Sequence, residues 1–402
     1  MTHNIILILV ALATATWLFR PALLHSKTWR ATVTPLASII GSGFLVAGPI
    51  LAHAAGNFAV LAMLGLCGLG YLFGAAIRHN IAHIENNANW ARLPLVRSLE
   101  LTSDLALTAA YFISVAYYVS LFAAFGLRLG GIVDPLWIRI GATATIALLG
   151  LVGMSGGLRA LEDLEVFTVG IKLAVIAGLI SLLAFVETHS AVTGAYVWPD
   201  ISGTSNGDSV RILLGLVILV QGYETSRYLG NSYDAGLRIR TMRRAQWIST
   251  LIYITFILLL TPYFTGDLPE QGGETAIIDM LRPVGLAVAP AIILAALASQ
   301  SSAAIADMNG AGGLIYETSG KRVSVNVGNL IVATISIGII WVANIYEIIT
   351  YASKAFVVYY GLQAGLAAFS AHRLKQHGRA SLFAFCILCA ALIIVLAKPP
   401  AI

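Results

Sequence analysis

Long apolar runs separated by short polar clusters make up nearly the whole chain. Such runs suit helices solvated by lipid, since a window of roughly 17–25 mainly apolar residues is long enough to cross a bilayer. About twelve such windows are predicted on that length rule. They fall at 4–24, 33–56, 57–77, 103–126, 137–155, 164–187, 209–230, 244–265, 284–309, 327–343, 348–371 and 381–397. The first has no basic stretch before it and no clean small-residue cleavage site after it, so it reads as a retained helix. The expected fold is an all-α polytopic membrane protein.

Composition agrees. Hydrophobic residues are 58% and charged residues 11% of the chain, whereas soluble domains carry about a quarter charged residues. The net charge of +5 follows orientation, so no nucleic-acid partner is implied. With both termini outside the cell membrane, Arg128, Arg139, Arg211, Arg282 and Lys398 are outside, and Lys172 and Lys354 lie within helices. The other basic residues fall on the inner side, as the positive-inside bias requires. Cys67, Cys386 and Cys389 sit in apolar windows and read as packing residues. No phosphate loop or nucleophile elbow is present, and the reading includes no metal and no cofactor. His79, His83 and Glu85 in "RHNIAHIENN" have a helical metal spacing, but no second histidine cluster accompanies them. The plainer account is a solvated turn in an inner loop.

Two windows carry helix breakers. "IIGSGFLVAGP" (39–49) places glycine, serine and proline inside an apolar run, and "VQGYETSRYLG" (220–230) does so again. Gly costs about 1 kcal/mol and Pro about 3 kcal/mol in a helix interior. The first stretch is therefore either a notch for close helix packing or a functional break. The second to sixth helices (33–187) and the seventh to eleventh (209–371) form two sets of five, which an odd count places in opposite orientations. An added helix and inner loop (1–32) precede them, an outer loop (188–208) joins them and a last helix (372–402) follows. Paired interrupted helices at corresponding positions point to a transporter binding site. The first and sixth core helices are accordingly expected to be discontinuous.

These stretches resemble signatures of amino acid–polyamine–organocation (APC) superfamily transporters. "IIGSGFLVAGP" is similar to the first core helix, "LVQGYETSRYLGNSYDAGLRIR" to the sixth, and "EVFTVGIKLAVIAGL" (165–179) to a fifth helix with one mid-helix lysine. The resemblance spans about 33–371 in helix order and implies the LeuT-type inverted repeat. Two departures stand out: the helix added before the core, and the lack of the usual acidic-x-x-Pro after the sixth core helix.

A break at Ser42, Gly43 and Phe44 would free amides suited to a carboxylate, and the carbonyls of Ile39 and Ile40 would suit an ammonium. The expected solute site is Ile40, Gly41, Ser42, Gly43 and Phe44 with Gly222, Tyr223 and Glu224, gated by Tyr117 among Tyr111, Tyr117 and Tyr118. Arg227 would pair with a carboxylate. Lys172, an intramembrane charge, is a functional candidate by default. In the transporters that the chain resembles, such a lysine stands where sodium sits in sodium-coupled relatives, so protons would drive transport. Ala298, Ser301 and Ser302 in "ALASQSSAAIAD" would support it, or would complete a sodium site in the alternative reading. The expected function is secondary active transport of a small amino acid-like solute by alternating access. Sodium symport or uncoupled exchange is the alternative, and an enzyme or a channel is less favoured. The added N-terminal helix offers a surface for a homo-oligomer.

Overall fold

Helices account for all regular structure among the described residues, with no strand among them. The computed structural model describes residues 2–85, 87–155, 158–203, 206–230, 232–264 and 273–400. The side chains at 42, 88, 91, 151–165 and 206 also lie outside the description. The main helices are α1 (Thr2–Leu18), α2 (Lys27–Ala55), α3 (Ala59–His83), α4 (Pro94–Leu127), α5 (Pro135–Ser155) and α6 (Leu158–Val192). They continue with α7 (Asn206–Leu214), α8 (Thr225–Tyr228), α9 (Ala235–Leu260), α10 (Ala276–Leu281) and α11 (Val288–Thr318). The last three are α12 (Val325–Val342), α13 (Ile345–Arg373) and α14 (His377–Leu396). Among the described residues the predicted windows fall mainly on helix, with the first interrupted at Phe19–Arg20 and 209–230 interrupted near its middle. Among the described residues, seven segments are long and apolar enough to cross a membrane, with Lys27–His83 counted as one although it holds both α2 and α3.

Local sequence sets the helix starts. Ser26 accepts from the Trp29 amide at the head of α2, and Asp234 accepts from the Leu237 amide at the head of α9. Asn344 and Glu347 form a reciprocal capping box that starts α13 almost immediately after α12. Outward-facing Leu, Ile, Phe and Trp on α1, α5, α12 and α14 remain exposed, as on a surface that meets lipid.

At the centre runs α2, packed against α3, α6, α7, α9 and α11. The added helix α1 lies along α6. Gly178 on α6 makes room for it: a Cβ there would stand 2.7 Å from the Leu7 carbonyl oxygen. At its N-terminal end the Asn4 side chain accepts from the Ala287 amide at 3.1 Å.

The stretch expected to be a solvated loop, 78–83, is instead the last turn and a half of α3. Three of its polar side chains are buried, each with a partner: Arg78 on Gln246, His79 on the Ser370 hydroxyl at 2.9 Å and Asn80 on Gln363; His83 is half-buried.

Candidate functional site

The 209–230 window breaks at the middle of the bundle. After α7 ends at Leu214, Val217–Val220 form a 3-10 turn, and Gln221 is extended with φ −78 and ψ 172. Gly222 then takes φ +117, in the half of conformational space that glycine enters without steric cost, and α8 resumes the helical direction. A Cβ at Gly222 would fall on the Ser38 side chain and stand 2.7 Å from the Ile39 amide nitrogen. Backbone groups freed by a break inside a bundle must be met by protein partners, and they are. The Ser353 hydroxyl on α13 donates to the Gly215 carbonyl at 2.7 Å and accepts from the Ile218 amide at 2.9 Å. The Tyr253 hydroxyl donates between the carbonyls of Leu219, 2.6 Å away, and Ile39, 3.0 Å away. One side chain of α9 therefore ties the break to α2.

Gln221, Tyr223 and Glu224 are fully buried here. Glu224 Oε2 accepts from the Gly222 amide at 2.9 Å and from the Tyr360 hydroxyl at 2.8 Å. Its other oxygen, Oε1, is buried without a partner. Tyr223 stacks on Tyr360, ring centroids 5.1 Å apart. Gln221 Nε2 donates to the Tyr118 hydroxyl at 2.9 Å. Tyr118 thus touches the break. Tyr117 is buried beside it, ring against ring.

The matching break in α2 is absent. The helix runs through residues 39–49 without interruption, and its glycines are notches. A Cβ at Gly43 would come within 2.6 Å of Leu219 Cα, and one at Gly48 would strike the Leu260 side chain. At Gly41 the neighbours stand back, with Ala303 Cβ at 3.4 Å and Lys172 Nζ and Ser299 Oγ at 3.6 Å. Close packing against a backbone that is itself irregular outweighs the local cost of glycine. The expectation of a discontinuous first core helix is corrected accordingly. So is the freeing of amides at Ser42, Gly43 and Phe44, since these residues lie within helix; the Ser42 side chain lies outside the described residues. Phe44 instead packs on Phe256, ring centroids 4.1 Å apart.

The carbonyls of α2 nevertheless attract side-chain donors. Lys172 Nζ donates to Ala37 O at 2.8 Å, Tyr253 to Ile39 O, and Gln300 Nε2 to Gly41 O at 3.2 Å, with the Ser299 hydroxyl 3.4 Å from the same oxygen. Three neighbouring helices thus reach alternate carbonyls within a little over one turn. Ile40, Gly41, Phe44, Leu45, Lys172, Ile176, Ala295, Ser299 and Gln300 enclose a cavity of about 10 Å³, room for about one water. Lys172 is 1% exposed.

On α11 the residues facing Lys172 and Gly41 are Ser299, Gln300 and Ala303. Ser301 bonds back to the Leu297 carbonyl at 2.7 Å and Ser302 to the Ser299 carbonyl at 3.0 Å, and Ala298 is half-buried.

Asp307 was missed. It lies one turn beyond Ala303 on the same face of α11, is 2% exposed, and accepts from the Ser114 hydroxyl on α4. A signal was available, because an aspartate inside a membrane-length apolar run is a functional candidate by default.

Toward the basic end of the bundle, ion pairs close over these groups. Arg227 pairs with Glu100. Arg238 grips Glu85 through both nitrogens, at 3.0 and 2.8 Å, and also donates to the carbonyl of Arg227 at 2.8 Å. At the opposite end, Arg128 pairs with Asp279 and Lys398 with Asp208 at 2.6 Å. The His79–His83 pair gathers no further ligand: among the described residues no group of three or more His, Cys, Asp or Glu could hold a metal.

Comparison with known proteins adds two findings. A family model described as an APC superfamily transporter matches residues 21–397. An uncharacterized protein of Aquifex aeolicus (strain VF5) is 37% identical over 352 residues, covering 86% of this chain and 85% of its own length.

Proposed function

The chain belongs to the APC superfamily of transporters, and on that premise we propose that it is a proton-driven carrier of a small, amine-bearing, amino acid-like solute. The observation that carries this reading is the buried break at Gln221–Glu224, pressed against Ser38 and Ile39 of α2 and lined by polar groups. Irregular backbone at membrane depth is tolerated where it lines a cavity or meets protein partners, and sites of this kind sit at the interface of transporter repeats.

In this reading residues 33–187 and 209–371 are the two inverted repeats. The solute lies beside Gly222, Tyr223 and Glu224, facing the Ile40–Phe44 stretch of α2. Movement of α2 with the α7–α8 pair against the other helices opens the site to each side in turn. Lys172 couples this motion to protons. Charged, its ammonium holds the Ala37 carbonyl; neutral, the amine donates more weakly and α2 is released from α6. A sodium ion in the same one-water cavity would stand beside that ammonium, where like charges repel strongly at low dielectric, so proton coupling is favoured.

Uptake of a pooled, labelled amino-acid and amine mixture into proteoliposomes tests this. The expected result is accumulation under an imposed proton gradient without sodium. Accumulation under a sodium gradient alone would overturn the coupling assignment.

A further inference from the structure

We propose that the segment Leu396–Lys398, at the end of α14, is a latch on α7 that must let go each time the solute site opens at the end opposite the basic one. This rests on the reading of α7 and α8 as moving parts, and it names what restrains them.

Local sequence builds the strap. Helix α14 ends at Leu396, and Ala397 turns to φ −59 and ψ 134, outside the helical region. Two prolines follow Lys398. A residue before proline is steered away from helical backbone, and proline lacks the amide that a helix would use. The chain therefore leaves α14 and crosses α7. There the Lys398 amide donates to the Arg211 carbonyl at 3.1 Å, and Arg211 Nε donates back to the Leu396 carbonyl at 3.2 Å. Lys398 Nζ pairs with Asp208 at 2.6 Å; Asp208 lies three residues before Arg211, on the same face of α7. Ala397, in the middle of the strap, is buried.

The strap presses on the start of the break. Gly215 is the first residue beyond α7, and a Cβ there would stand 3.1 Å from both the Lys398 carbonyl oxygen and the Thr350 hydroxyl. Helix α13, which carries Thr350, also holds the Gly215 carbonyl through Ser353. Gly215 thus sits between α13 and the strap. Because α14 packs along α13, the strap is anchored on helices that stay in place in the proposed motion, while its grip is on one that moves. Helix α7 leaves α13 only if the two hydrogen bonds and the ion pair part. Their setting suits that step. Both side chains of the pair are partly exposed, and exposed pairs add little to stability, so water replaces them at low cost. At the basic end, by contrast, Arg238 is buried where it grips Glu85.

A reversible crosslink tests this. Asp208→Cys and Lys398→Cys are combined in the full chain and joined by a short bis-thiosulfonate reagent, which dithiothreitol removes. Uptake of the pooled, labelled mixture, under whichever gradient drives the unmodified chain, should be lost in the linked form and return on reduction. Each single-cysteine variant under the same reagent should keep its uptake, which excludes an effect at Cys67, Cys386 or Cys389. Undiminished uptake in the linked form would mean that the strap travels with α7, and would overturn the latch while the transport reading stood. Were the unmodified chain to take up nothing, the transport reading would fall, and amide hydrogen exchange over residues 209–222 in nanodiscs would decide the latch separately. Linking should slow that exchange and reduction should restore it; exchange unaffected by linking overturns the proposal. Should the double variant not fold, Lys398→Gln takes its place: losing the exposed pair should speed the same exchange by about two- to fivefold, and an unaltered rate overturns the latch.

Discussion

Lys172 Nζ on α6 donates to the main-chain carbonyl of Ala37 on α2, 2.8 Å away. A titratable side chain is thereby attached to the backbone of the helix that lies against the broken segment. Two turns along α6, the notch at Gly178 seats α1.

Gly43→Ala distinguishes a notch from a break. In the continuous helix the new Cβ meets Leu219 Cα, which is backbone and cannot rotate away, so the variant should lose thermal stability by about 1–3 kcal/mol or more, the usual cost of overpacking. Leu219→Ala should not rescue it. Gly41→Ala, whose nearest neighbours stand at 3.4–3.6 Å, should melt within about 1 kcal/mol of the parent by the same measure.

Gly222→Ala combines a conformational penalty with a clash. Holding a non-glycine residue at φ +117 costs on the order of 1–3 kcal/mol, and the Ser38 contact adds to it. A double-mutant cycle isolates the contribution of the Ser38 side chain. Ser38→Ala keeps its Cβ and should recover little stability, whereas Ser38→Gly should recover the side-chain part and leave the φ term together with the close approach to the Ile39 amide nitrogen. Full recovery with Ser38→Gly would mean that backbone conformation at 222 contributes nothing.

Much of this architecture was legible in the chain. Each apolar window became helix because length and hydropathy suffice to specify a membrane helix, and the second break was readable from Gly222 and its polar neighbours. What could not be read were distances between helices. Gly43 is compatible with a break or with a notch, and only the closeness of Leu219 decides for the notch. The phase of α11 was a similar case. "ASQSS" offers five adjacent small or polar residues, and which of them meets Gly41 depends on a rotation that the sequence does not state. Asp307 went unread for another reason: the hydroxyls before it drew attention, although its charge was the stronger signal. The 78–83 turn looked solvated because its partners, Gln246, Gln363 and Ser370, are remote in sequence.

The Glu85–Arg238 pair should govern opening at the basic end. Glu85→Gln keeps the shape and removes the charge that holds Arg238, whose guanidinium also secures the carbonyl of Arg227. Losing a charge-assisted bond of this kind is worth about 1.5–3 kcal/mol. Amide hydrogen exchange over residues 224–230 should accelerate by roughly tenfold or more on that basis, with little change over α12. Unchanged exchange in 224–230 would remove the pair from any gating role.

The most direct test of proton coupling compares two transport modes in Lys172→Gln. Counterflow, in which unlabelled solute inside the vesicle exchanges for labelled solute outside, needs the site and the motion but no driving ion. The account predicts that Lys172→Gln retains counterflow and loses accumulation against a gradient when a proton gradient is imposed. Accumulation at the level of the unmodified chain would contradict it, and the proton would have to be carried by another group.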